Sequence, residues 1–232
     1  MDVKHLQDTM AWSIGAMQLA TVVFLLWGPT RKYAFVLGHC LLQLCTSVLE
    51  VTVSKEFGTR SRVYRQVFWT DEIVLDLLLF LILILLTHRA MEGSPARAAM
   101  GKMLAAVAAL VVSLPFVLYP GAFVKTAWFD HTSQLLNFGA AILNLGLWTA
   151  LLGSGKREWQ LLTVSAGFGV TATGVAIAYG LRAMIHARGP AWTAANLAFG
   201  FAHLAGALIL CWAFRPARGD RSLRSSAVQP HA

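Results

Sequence analysis

Residues 69–89 read WTDEIVLDLLLFLILILLTHR, with Asp71, Glu72 and Asp76 at one end, an unbroken apolar run in the middle, and His88 and Arg89 at the other end. About 20 residues in helical form cover roughly 30 Å, the thickness of a bilayer's hydrocarbon core. A run of this length and apolarity predicts a membrane-spanning helix and sets the class of the whole chain.

The rest of the 232 residues agrees with that stretch: 57% are hydrophobic and 13% charged, against roughly 25% charged in a soluble domain. The net charge of +8 would point to nucleic acid in a soluble protein. Here the basic residues fall in loops and tail, where they suit anionic lipid headgroups, so nucleic acid is not expected as a partner. Cys40, Cys45 and Cys211 all lie in apolar runs, without CxxC or Cys/His spacing, and read as small buried side chains.

Outward from the opening stretch, the other apolar runs are Ala11 to Trp27, Tyr33 to Val53, Met100 to Tyr119, about His131 to Gly153, Glu158 to Met184, and Trp192 to Phe214. The first has no A-x-A cleavage pattern after it and reads as a retained helix, not a signal peptide. Turn residues or charges separate the runs, as at Gly28-Pro29, Gly93-Ser94-Pro95 and Pro120-Gly121. The sixth run contains SAGFGVTATG, and its glycines permit close backbone approach, which predicts a packed central helix. The expected architecture is all-α: a polytopic bundle of seven transmembrane helices over residues 1–214, then a basic, disordered tail, 215–232.

The basic residues also set an orientation. With the N-terminus outside and the C-terminus cytoplasmic, the inner segments hold Arg31, Lys32, Arg89, Arg97, Lys102, Lys156, Arg157, Arg215, Arg218, Arg221 and Arg224, 11 of the 19 lysines and arginines. Trp12, Trp69, Trp128 and Trp192 fall toward one face, and Trp27, Trp148, Trp159 and Trp212 toward the other. Seven crossings would give two such aromatic belts.

Three features carry a resemblance: YRQVFW (64–69) entering the third helix, a fifth helix followed by a short turn and Trp159, and AGFGV (166–170) in the sixth. In these the chain resembles a group of uncharacterised bacterial seven-helix integral membrane proteins. That resemblance implies the fold and a multi-pass location in the bacterial inner membrane. It supplies no catalytic residues.

Ionisable groups inside a bilayer are costly, so each is a functional candidate. His39, Gln43, Thr46 and Glu50 are spaced to lie on one face of the second helix, and Gln134, Asn137, Ala141, Asn144 and Trp148 repeat the pattern on the fifth. Asn196, Gly200 and His203 do so on the seventh, and Glu72 and Asp76 sit one turn apart on the third. Such faces should turn inward and meet. The plainer account makes the Asn and Gln side chains interhelical glue, His203 a satisfied core histidine, and His39 and His88 surface-facing groups. In that account loop residues Arg60, Arg62 and Arg65 neutralise the helix-end acids. Glu50 and Asp76 fit it less well, because each lies about a turn further into an apolar run, where a charge is costly without a nearby cation.

The leading expectation is a small-ligand binding or sensing module, its pocket open to the outer face between the second, third, fifth and seventh helices. The residues assigned to a small polar or cationic ligand are Glu50, Glu72, Asp76, Trp128, Asn137 and His203. The alternatives are a transporter or proton relay through Glu50, Asp76 and His203, and a membrane scaffold or assembly factor. The absence of G-x-S-x-G and H-E-x-x-H motifs argues against a hydrolase, and no residue is assigned as catalytic or metal-binding. His39 and His203 as haem ligands would need a motif that the sequence lacks, so no cofactor is expected.

Overall fold

The computed structural model describes residues 3–28, 32–92, 97–120, 126–153, 159–185 and 189–216. Within them the chain forms seven α-helices and no strand: α1 Val3–Trp27, α2 Ala34–Phe57, α3 Arg62–Ala90, α4 Arg97–Leu118, α5 Thr126–Gly153, α6 Trp159–Met184 and α7 Pro190–Phe214. The basic tail beyond residue 216 lies outside the described residues.

The helix ends follow local chemistry. Gly58 closes α2 at φ 75°, a left-handed value that suits glycine. Three residues later Ser61 caps α3, its hydroxyl accepting the Tyr64 N–H at 3.0 Å. Pro190 opens α7, where its missing N–H costs nothing. Among the described residues six helices are long and apolar enough to cross a membrane. The helix not among them is α5, which has the length at 28 residues but carries Gln134, Asn137 and Asn144.

Helices α1, α2, α3, α5, α6 and α7 form a closed ring, each packed on the next and α7 returning to α1, while α3 also touches α6 across the middle. Helix α4 lies outside the ring against α5 and α3. Half of the α6 span is buried, more than in any other span, in keeping with a central helix. Its contact with α7 is close: a Cβ on Gly206 would meet the Gly167 carbonyl oxygen at 2.9 Å, and one on Gly167 would meet the Gly206 oxygen at 3.1 Å. Phe80, Ile82 and Leu83 of α3, Leu147 of α5 and Phe168 of α6 fill the core beside them.

The outside is equally apolar. Trp12 and Trp27 are each 81% exposed, and Leu145, Val117 and Val48 are exposed as well. So much uncovered apolar surface suits lipid and not water. Hydroxyls on these helices are carried by their own backbone: Thr21, Thr87, Thr132 and Thr171 each donate to the carbonyl four residues earlier. That satisfies them without a partner helix.

Candidate functional site

The up-and-down order places the start of α3, α5 and α7 at the same end of the bundle as the finish of α2 and α6. Five of the chain's 11 acids gather there: Glu50 from α2, Asp71, Glu72 and Asp76 from α3, and Asp130 from α5. Glu50 sits beside Asp71 and Glu72, and Thr46 joins Glu50 at the Asp71 carboxyl. The stripe His39, Gln43, Thr46 and Glu50 faces inward, while its neighbours Cys45, Ser47, Val48 and Leu49 are exposed.

Glu72 is held from across the bundle: the Tyr179 hydroxyl of α6 donates to its Oε1 at 3.0 Å. One turn deeper, Asp76 is 7% exposed, and Ser133 and Asn137 of α5 flank its carboxyl. Asn137 Nδ2 donates to the Ser133 carbonyl at 3.0 Å. Ser133 and Asn137 reach the Asp76 carboxyl, and Thr46 and Glu50 the Asp71 carboxyl, but Asp76 Oδ2, Ser133 Oγ, Asn137 Oδ1 and Asp71 Oδ1 are buried and close no hydrogen bond of good geometry. Buried polar atoms are nearly always fully paired, so four incompletely bonded ones at the same end of the bundle set this region apart from the rest of the core.

The cation nearest these acids is Arg182, two residues from the end of α6. It acts on both Glu72 and Asp130. Its Nε donates to Asn196 Oδ1 of α7 at 3.0 Å. Its guanidinium carbon lies 5.1 Å from the centre of the Tyr179 ring, 5.0 Å from Phe199 and 5.9 Å from Trp192. The expected neutralisation by loop arginines does not occur. Arg60, Arg62 and Arg65 are exposed, and among the described residues the single ion pair within 4 Å is Arg97 with Glu92, on the other side of the bundle. Arg62 and Arg65 turn out to lie on the first turn of α3 and not in a loop, but on its exposed side; Arg182 wins because its side chain, like the acids, is already between the helices.

No family model, curated protein or solved structure matches this chain. The reading of the site therefore rests on its own geometry.

The other assigned residues fall in two places. Trp128 is 7% exposed and packs on Phe116 at 5.4 Å and Phe129 at 5.3 Å, and Phe129 in turn stacks with Trp69. This is an aromatic wall at the acid end. His203 lies deeper, 4.6 Å from Phe199 and within electrostatic reach of His39. His39 is a correction to the surface-facing expectation: it is 7% exposed, with its ring 5.3 Å from that of Phe168. Neither His39 Nδ1 nor His203 Nε2 has a hydrogen-bond partner among the described residues. The expected glue is also sparser than the sequence implied. Asn144 Oδ1 is unpaired against Gly169, and the α5–α6 tie comes from Trp148 Nε1, which donates to Ser165 Oγ at 3.0 Å.

Arg182, Tyr179, Ser133 and Phe199 were not singled out from the sequence. A signal for the first two exists: Arg182 lies within the sixth apolar run, and Tyr179 precedes it by three residues, which sets both on one helix face. A recess of about 860 Å³ at the opposite end, lined by Trp159, Gln160, Thr163, Trp212, Ala213, Arg215 and Pro216, contains none of these groups.

Proposed function

We propose that the chain is an integral membrane protein of seven crossings, N-terminus outside and C-terminus cytoplasmic, in the bacterial inner membrane. Its function on this reading is to bind or sense a small cationic ligand in the polar pocket at the acid end. The carrying observation is the gathering of five carboxylates at one end of the bundle, of which one guanidinium reaches only Glu72 and Asp130, with Asp76 Oδ2, Asn137 Oδ1 and Asp71 Oδ1 buried and short of a full set of hydrogen bonds. A ligand with N–H donors and positive charge would supply both needs at once. α5 is included as a crossing because Asn137 and Ser133 face Asp76, so its polar groups do not have to meet lipid.

The test is thermal stability of the detergent-solubilised protein against a panel of small ammonium compounds. Wild type is expected to be stabilised, and Asp76→Asn to fold with most of that stabilisation lost. Equal stabilisation of both proteins would reject the pocket.

A second reading, proton relay, is favoured by the His39 and His203 pair, whose partnerless nitrogens lie on the inner side of α2 and α7 beyond the acids. It predicts proton flux in liposomes that neutralising Glu50 and Asp76 together abolishes. Flux that survived the double change would remove it.

A further inference from the structure

The environment of Arg182 defines what kind of cation the pocket accepts. Tyr179, Phe199 and Trp192 turn ring faces toward one point about 5–6 Å away, and Glu72 and Asn196 add oxygen acceptors around it. Aromatic faces attract weakly hydrated, delocalised cations, and hold small inorganic ions poorly because those keep their water. Planar N–H donors suit the carboxylate and amide oxygens beside the rings. The cage is therefore built for guanidinium or alkylammonium chemistry, and in this structure it holds such a group, supplied by the chain.

One turn along α3 from Glu72, Asp76 Oδ2 and Asn137 Oδ1 are buried, with Ser133 and Asn137 the side chains at the Asp76 carboxyl. Asp76 lies within electrostatic reach of Tyr179, so the acceptors adjoin the cage, but the cage is full. A second cation of the same class can use the three rings only after Arg182 leaves them. Arg182 is able to leave, since it is half-buried on the last turn of α6, and a long side chain at a helix end can extend its head to water or headgroups.

We propose that the ligand is an organic cation bearing a guanidinium or alkylammonium group, and that it binds by taking the place of Arg182 in the Tyr179–Phe199–Trp192 cage. The inference rests on the cationic-pocket reading above and adds the ligand's class and a built-in competitor. Displacement also releases the Arg182–Asn196 bond that ties α6 to α7, so occupancy is reported at that helix pair.

The experiment titrates the full-length protein in detergent with methylguanidinium chloride, and separately with sodium and magnesium chloride at matched ionic strength, following thermal stability. Methylguanidinium should stabilise wild type saturably at millimolar concentration. In Arg182→Ala the half-saturating concentration should fall about tenfold or more, because the competitor is gone; Arg182→Gln, which keeps more of the packing, should show the same direction. An unchanged or raised half-saturating concentration in both variants overturns the displacement. Stabilisation by sodium or magnesium that Asp76→Asn abolishes would overturn the organic class while leaving the cationic pocket in place. No stabilisation by any cation, in wild type or either Arg182 variant, would overturn both.

Discussion

Tyr179 and Arg182 divide the work of holding Glu72, and substitutions separate their shares. Tyr179→Phe removes the hydroxyl that donates to Glu72 Oε1 at 3.0 Å and leaves the ring over Arg182. We predict a cost of about 1 kcal/mol, a fall in melting temperature of a few degrees, with the cage intact. Arg182→Lys keeps the charge but loses the planar Nε–H that reaches Asn196, so it should behave more like a deletion than a conservative change. An Arg182→Lys protein that melts like wild type would count against the bond to Asn196.

Side-chain detail was also where the sequence was hardest to read. Spacing along one helix places His39, Gln43, Thr46 and Glu50 on a common face, and that face is indeed the inner one. Spacing says nothing about which residue on another helix answers a charge. The acids are therefore legible, while nothing in the spacing singles out Arg182, whose partners come from α3, α5 and α7. His39 illustrates the same limit. Its depth along α2 could be counted, but its cover, Phe168 of α6, comes from more than a hundred residues away.

For the helices, apolar runs located all seven, and the errors were at polar ends, α2 running on through Ser54, Lys55 and Glu56 to Phe57. α1 begins at Val3 and α3 at Arg62, earlier than the runs from Ala11 and Trp69, because helical hydrogen bonding continues through charged residues that hydropathy treats as loop. The Ser61 cap explains the second case. The glycines of α6 signalled close packing correctly, and the packing has a partner-specific prediction. Gly206→Ala would push a methyl group against the Gly167 backbone oxygen and the Thr171 side chain, and should cost about 1–3 kcal/mol by forcing α6 and α7 apart. On α5, a Cβ at Gly146 meets nothing within 4 Å, so Gly146→Ala should be neutral or stabilising by up to about 1 kcal/mol. Thermal unfolding of the two variants side by side checks both, and equal melting would refute the close-contact account.

The bundle as a unit makes a prediction about sides. Alternating crossings put the α2–α3 connection on the face where α1 begins and the α3–α4 connection on the other. In intact cells a membrane-impermeant maleimide should label Arg60→Cys directly, and Glu92→Cys only after the membrane is opened. The reverse pattern would invert the orientation, and labelling of both from one side would remove a crossing between them. Native Cys45, expected from the sequence to be buried, is instead exposed on the bundle surface, yet should stay unlabelled, because lipid covers it.

The polar face of α5 bears on how the protein is made. Asn137 and Ser133 find Asp76 on α3, already synthesised when α5 emerges, while Asn144 lies against Gly169 and Trp148 bonds to Ser165, both on α6 and not yet made. A segment with two such faces gains little by entering lipid alone. We expect α5 to remain at the insertion machinery until α6 arrives, the two entering together as a hairpin. In chains truncated before Trp159, a cysteine introduced on α5 should then be reached by a water-soluble maleimide, and in chains extended past Met184 it should not, which makes the helix most suited to the pocket the one most dependent on its neighbour for entry.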